Sequence, residues 1–237
     1  MIDLNERCYP GVSNRRVQED HYAAYEFAAE YGRGKRVGDI ACGTGYGSRI
    51  LKDAGATQVV GVDLDQTTIE QARKSFPDVT FQVADAVTTG LESDSLDVVV
   101  SLQTWHHLDR YADFPAEMSR ILKKGGRLIV SVPNEKVLYL NPFHRSFLTP
   151  FYRVDFDRSK MESYLRPYFG EISWYGQRFV KRRYTNSFAK FILFIGSSVN
   201  PWLRAKVQKA FALADGPEVK PLRHENARYI IAVCTKT

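Results

Sequence analysis

With 237 residues, 44% of them hydrophobic, the chain is long enough to bury a substantial core, which excludes a disordered or repeat-array protein. Lys and Arg outnumber Asp and Glu by 33 to 27, and a net charge of +6 by itself points to nucleic acid or an anionic surface as partner. That excess is local, because Ile172 to Ala214 holds eight basic residues and no acidic one, leaving 25 basic against 27 acidic residues elsewhere.

Residues 1–34 read as an N-terminal helical cap. Val37 to Ala41, Gln58 to Val62, Val79 to Val83, Leu96 to Leu102 and Arg127 to Val132 then read as strands bounded by Gly, Pro, Asp or Ser. Between them, Gly47 to Lys52, Gln66 to Ser75 and Tyr111 to Leu122 have helical composition, with Phe114, Met118 and Leu122 on one face. This alternation predicts a parallel sheet with helices on both faces, whose ligand binds at the carboxyl ends of the strands. Beyond Pro133 the pattern loosens. Residues 135–177 read as an acceptor-side loop, a helix at Ser159 to Leu165 and a strand at Glu171 to Tyr175; 178–226 as a basic helical insertion; 227–237 as a final strand. The whole chain is expected to form one domain around a 35–134 core.

Cys8, Cys42 and Cys234 offer neither a disulfide framework nor a zinc spacing, so a reducing compartment and no metal are expected. Met1 to Arg7 lacks a signal-peptide layout, and the longest apolar run, Phe191 to Ile195, falls far short of the roughly 20 residues of a membrane span. A cytoplasmic location follows. The acid-free stretch mixes charge with Phe188, Phe191, Trp202 and Phe211. Either it is a helical lid over the acceptor, or residues 178–211 meet the inner face of an anionic membrane or a lipid-linked phosphate.

The first strand runs into Asp39-Ile40-Ala41-Cys42-Gly43-Thr44-Gly45-Tyr46-Gly47-Ser48, a glycine-rich turn. A dinucleotide fingerprint needs glycine where Ser48 stands, which weakens an NAD reading. Asp63 ends the second strand twenty positions beyond Gly43, where a carboxylate accepts both hydroxyl hydrogens of a ribose in either of two nucleoside cofactors. Asp85 follows the third strand; it is placed to accept from an adenine amine or to cap a turn, and Asp65 reads as a helix cap.

Together, Val37 to Gly45, Gly61-Val62-Asp63, Ala84-Asp85-Ala86, Leu96 to Ser101 and Leu122 to Leu128 resemble the class I S-adenosylmethionine-dependent methyltransferases. The resemblance implies a Rossmann-like, doubly wound, mainly parallel α/β sheet of seven strands with the last antiparallel, plus a helical insertion before it. It also implies S-adenosylmethionine as cofactor and S-adenosylhomocysteine as product. Gly43 and Gly45 would lie under the methionine part, with Asp39, Ala41 and Thr44 in the same loop; Asp63 and Leu64 would meet the ribose, Asp85 and Ala86 the adenine, and Leu102 and Gln103 the methyl end. Glu6-Arg7, Pro10-Gly11, His21, Tyr25, Tyr46-Gly47, Ser131 to Asn134 and Asn141 to His144 are similar to bacterial methyltransferases of sugar and cell-surface polysaccharide synthesis. That narrower likeness places Tyr25 above the methionine end.

A sugar hydroxyl keeps its proton at neutral pH, so methylating it calls for a base. His107 stands where those relatives carry a histidine and is the first candidate; a loop-orienting hydrogen bond is its bland alternative. His106 is expected as an exposed loop residue with a lesser claim, and His144 as a base, an acceptor-site wall or a packed loop histidine. Gln103 and His106 replace glutamates of those relatives. Trp105, Phe143 and Tyr152, with Phe147 and Phe151, form an aromatic rim suited to a sugar ring, or simply core. Ser101 to Thr104 does not match the amino-directed nucleic-acid methyltransferases, and no cysteine stands ready for cytosine carbon attack, so nucleic acid is not the expected partner. Three readings compete. The first is O-methylation of a sugar hydroxyl in a glycan, glycolipid intermediate or glycosylated natural product. The others are N-methylation of an amino sugar or small amine, and a membrane-associated cofactor-binding module without turnover.

Overall fold

A computed structural model of the chain describes residues 15–138, 152–179, 216–224 and 226–237. Phe143, His144, Phe147, Phe151 and most of the expected helical insertion lie outside the described residues. Helix α1 (Arg15–Gly32) is followed by β1 (Arg36–Ile40), α2 (Tyr46–Asp53), β2 (Gln58–Asp63), α3 (Gln66–Ser75), β3 (Thr80–Val83) and β4 (Leu96–Leu102). A single 3-10 turn at Trp105–His107 leads to α4 (Phe114–Ile121), β5 (Leu122–Pro133) and α5 (Glu135–Leu138). After these come α6 (Arg158–Leu165), β6 (Phe169–Phe179), β7 (Lys220–Pro221) and β8 (Ala227–Lys236).

The strands join in one sheet of order β3-β2-β1-β4-β5-β8-β6-β7. β1 to β5 are parallel, and β8 runs antiparallel between β5 and β6, as expected of the final strand. The expected count of seven becomes eight because Lys220–Pro221 adds a two-residue strand outside β6. Two residues are too few for periodicity to reveal, and an edge position tolerates proline. β5 begins at Leu122 rather than Arg127 because Leu122 pairs with Leu96, a register shift separating that pair from Val98 and Arg127. The fourth helix starts at Phe114 rather than Tyr111, with Pro115 in its first turn.

Burial explains the continuous apolar runs of the strands. Val98 and Val100 of β4 pack with Ala24, Ala28, Leu51 and Ile69, while Val99 faces Phe114, Met118 and Ile121 on the opposite side. Each such Val, Leu, Ile, Phe or Met side chain contributes ~1.5–3 kcal/mol when fully buried. Helix ends are fixed by polar caps: Asp65 accepts from the Thr68 amide (3.2 Å), as its sequence suggests, and Asp157 from that of Lys160 (2.8 Å). Among the described residues no helix is long and apolar enough to cross a membrane. Strand order reverses between β1 and β4, so the crevice at their carboxyl ends is where a ligand would bind.

Candidate active site

A cavity of about 460 Å³ opens at that crevice, walled by the residues that follow β1, β2, β3 and β4. The β1 loop is shaped by left-handed backbone at Ala41 (φ 63°), Gly43 (φ 54°) and Gly45 (φ 82°). For Ala41 this costs ~1–2 kcal/mol, as it does for Gln103 (φ 56°) across the cavity. A Cβ on Gly43 would meet nothing within 4 Å, so the glycine leaves its edge open toward the cavity. A Cβ on Gly45 would lie 2.7 Å from the Phe81 ring, and one on Gly47 2.0 Å from the ring of Tyr25.

Asp63 is oriented by two backbone donors: the Gly43 amide to Oδ2 (2.9 Å) and the Asp65 amide to Oδ1 (3.0 Å). Asp85 accepts from the Val87 amide at Oδ1 (3.0 Å) while also forming cavity wall, so its turn-capping and wall placements coexist. Tyr25, Ala41, Thr44, Leu64, Ala86, Leu102 and Gln103 complete the expected set on the wall. Gln103 is pinned through its amide and its Nε2, both donating to Ser131 Oγ (3.1 and 3.0 Å).

Other expected residues stand elsewhere. Asp39 lies fully buried behind the wall, accepting from Tyr25 Oη (3.1 Å) and Ser48 Oγ (2.6 Å). Burial pushes its carboxyl up to about 7 against the pull of those hydrogen bonds, with nearby Asp63 adding to the rise. Gly45 is likewise off the wall and instead lets α2 pack on Phe81. Trp105 is core rather than acceptor wall: it is fully buried against Phe114 and Phe156, and its Nε1 donates to the Tyr111 carbonyl (2.7 Å). His106 is buried, not exposed, with its ring 3.9 Å from that of His107 and its Nδ1 lacking a hydrogen-bond partner. Burial, then His107, holds it well below the usual histidine range. The 3-10 turn accounts for this, since three residues per turn send Trp105, His106 and His107 in three directions. Only His107 reaches the cavity. Tyr152 packs edge-on against both histidine rings and is not part of the wall.

The cavity wall also includes residues whose placement the sequence did not reveal. His21 Nδ1 is 2.8 Å from Tyr46 Oη, and burial lowers this histidine to about 4. Arg153 joins the rim, its amide donating to the His106 carbonyl (2.9 Å) and its guanidinium pairing with Asp109 (2.7 Å). Among the described residues no three His, Cys, Asp or Glu side chains gather as a metal site.

Residues 38–130 match the family model described as Methyltransferase domain. The chain is 34% identical over 146 residues to a probable S-adenosylmethionine-dependent methyltransferase of Mycolicibacterium smegmatis, covering 59% of this chain and 56% of that protein. It is 35% identical over 106 residues to the 2-methyl-6-phytyl-1,4-hydroquinone methyltransferase of Synechocystis, covering 44% and 33% of the two chains. The chain spans about half the length of the first curated relatives it matches. Haemonchus contortus phosphoethanolamine N-methyltransferase 2, solved with S-adenosyl-L-methionine, has the same fold. Its TM-score is 0.64 at 18% identity, covering 91% of this chain and 52% of that one.

Proposed function

We propose that the chain is a class I S-adenosylmethionine-dependent methyltransferase, a reading supported by the match of residues 38–130 to a methyltransferase domain and by the likeness to its relatives, and that it methylates a hydroxyl oxygen of a sugar carried on a glycan, glycolipid intermediate or glycosylated natural product. The observation that carries this reading is one cavity with Asp63 and Asp85 on the wall formed after β2 and β3 and His107 on the wall formed after β4.

The residues present fit the cofactor. The cavity volume lies in the range of small-molecule sites, about 300–1,000 Å³. Thr44 Oγ1 is buried in the wall without a hydrogen-bond partner, and Gly43 leaves room beside it. In this assignment Asp63 accepts from the ribose hydroxyls, Asp85 from the adenine amine, and Leu64, Ala86 and Leu102 supply apolar contact. Bound there, the cofactor supplies an electrophilic methyl group on a sulfonium with a neutral thioether as leaving group. An imidazole nitrogen of His107 takes the proton of the acceptor hydroxyl, Tyr25 is fixed through Asp39, and the surrounding apolar wall excludes water. Membrane contact through 178–211 and a cytoplasmic location belong to the same proposal, supported by the acid-free sequence of that stretch.

A second reading, a lipid-borne aromatic acceptor, is supported by the hydroquinone methyltransferase among the relatives. Calorimetry with S-adenosylmethionine and NAD tests the cofactor, and NAD binding alone would refute it. Release of S-adenosylhomocysteine with glycan, prenylated hydroquinone and amine acceptors identifies the acceptor. His107→Ala lowers the rate with a hydroxyl acceptor by about 10²-fold or more; an undiminished rate removes His107 as base and favours an amine acceptor.

A further inference from the structure

Among the described residues, the wall of the large cavity carries one arginine and no lysine. That arginine, Arg153, is positioned by the same turn that carries His107. The Arg153 and Val154 amides both donate to the His106 carbonyl (2.9 and 3.4 Å), and the Tyr152 ring packs edge-on against that of His107, 5.2 Å between centroids. Residues 152–154 are thereby clamped to the Trp105–His107 turn, and Arg153 lines the cavity beside His107 and Leu108. The two aspartates of the wall, Asp63 and Asp85, follow β2 and β3 instead, where the reading above assigns them to the cofactor.

The partner of Arg153 is easily exchanged. Arg153 Nε donates to Asp109 Oδ1 (2.7 Å), but the Asp109 side chain is 79% exposed and that of Arg153 51%, and a pair so open to water contributes little to stability. Asp109 follows the wall residue Leu108 without being part of the wall, so the pair lies at the rim. A carboxylate arriving from inside the cavity keeps the guanidinium paired when it takes the place of Asp109. The guanidinium fork matches the two oxygens of a carboxylate in geometry as well as charge. One arginine on a wall that also carries two aspartates suits a singly charged carboxylate better than a doubly charged phosphate.

We propose that Arg153 recognises the acceptor by a carboxylate, which displaces Asp109 and leaves the acceptor hydroxyl facing His107. The methylated molecule is then an acid, a sugar acid rather than a neutral glycan. This deepens the methyltransferase reading above and rests on it.

The test is calorimetry of the full chain, saturated with S-adenosylhomocysteine so that the acceptor end alone is open, titrated with malonate and separately with inorganic phosphate. Malonate is expected to bind, and Arg153→Met to weaken it about tenfold or more. Asp109→Asn breaks the same ion pair but keeps the guanidinium, and is expected to tighten malonate binding about two- to fivefold. Both side chains are exposed, so neither substitution disturbs the core. No malonate binding, or a failure of the two variants to move its affinity in opposite directions, overturns the proposal, because a merely structural ion pair predicts like effects from both. Phosphate that binds more tightly than malonate, and is lost in Arg153→Met, overturns the carboxylate assignment. S-adenosylhomocysteine affinity is expected to stay unchanged in both variants. If S-adenosylhomocysteine does not bind the wild type, the methyltransferase reading falls, and malonate titrated onto the bare chain still decides whether Arg153 holds a carboxylate.

Discussion

Asp39 and His21 carry opposite proton linkages. The Asp39 carboxyl, buried between Tyr25 and Ser48, moves from 3.8 to about 7 on folding, whereas His21, buried beside Tyr46, moves from 6.5 to about 4. A raised carboxyl contributes stability present in full below pH 3.8 and lost as pH rises through 7. At ~1.4 kcal/mol per unit, that loss is ~4 kcal/mol. A depressed histidine acts in the other sense, its contribution present above 6.5 and falling by ~3 kcal/mol as pH drops to 4. Between pH 4 and 6.5 the folded chain keeps a proton on Asp39 and the unfolded chain keeps one on His21, so the two slopes cancel. Asp39→Asn removes only the first. Urea denaturation of both proteins across pH 4 to 7.5 should therefore show the variant gaining on the wild type by ~4 kcal/mol as pH rises, on top of a constant offset from altered hydrogen bonding. A difference that stays constant across this range would refute the buried, protonated Asp39.

Gly47→Ala puts a methyl 2.0 Å from Tyr25 Cζ and should cost ~1–3 kcal/mol; combining it with Tyr25→Ala should recover part of the melting temperature, and failure to recover would put the strain elsewhere. Trp105→Ala should lower unfolding free energy by ~3–5 kcal/mol in urea titrations; a raised KM with intact stability would return this residue to the acceptor wall. Asp63→Asn leaves one of two backbone amides facing a donor and should weaken S-adenosylhomocysteine binding about tenfold or more by calorimetry, with unchanged affinity counting against its assigned role.

The strands and the glycine loop were readable because a sheet covered on both faces demands unbroken apolar runs, and because Asp63 sits at a strand end that any chain register would expose. What escaped the sequence was direction. Trp105, His106 and His107 are consecutive, and only the 3-10 turn decides which of them enters core, interior or cavity. The resemblance groups Asp39 with the cofactor loop, yet its place in β1 turns it beneath α1 and α2, where Tyr25 and Ser48 hold it. The His21–Tyr46 contact depends on how α1 lies across α2, and the pairing of Gln177 with Tyr229 depends on a register between strands far apart in the chain. Local pattern carries none of these.

The position of β8 bears on how the chain acquires its structure. β5, whose Ile129, Val130 and Val132 are fully buried, finds its outer neighbour only when a segment about a hundred residues downstream arrives, and β6 in turn docks on that late segment. During synthesis the edge of β5 stands bare while everything between is made, a window in which it is open to strand addition by another chain. Any truncation before Ala227 should therefore appear as insoluble protein rather than as a soluble fragment with weakened activity.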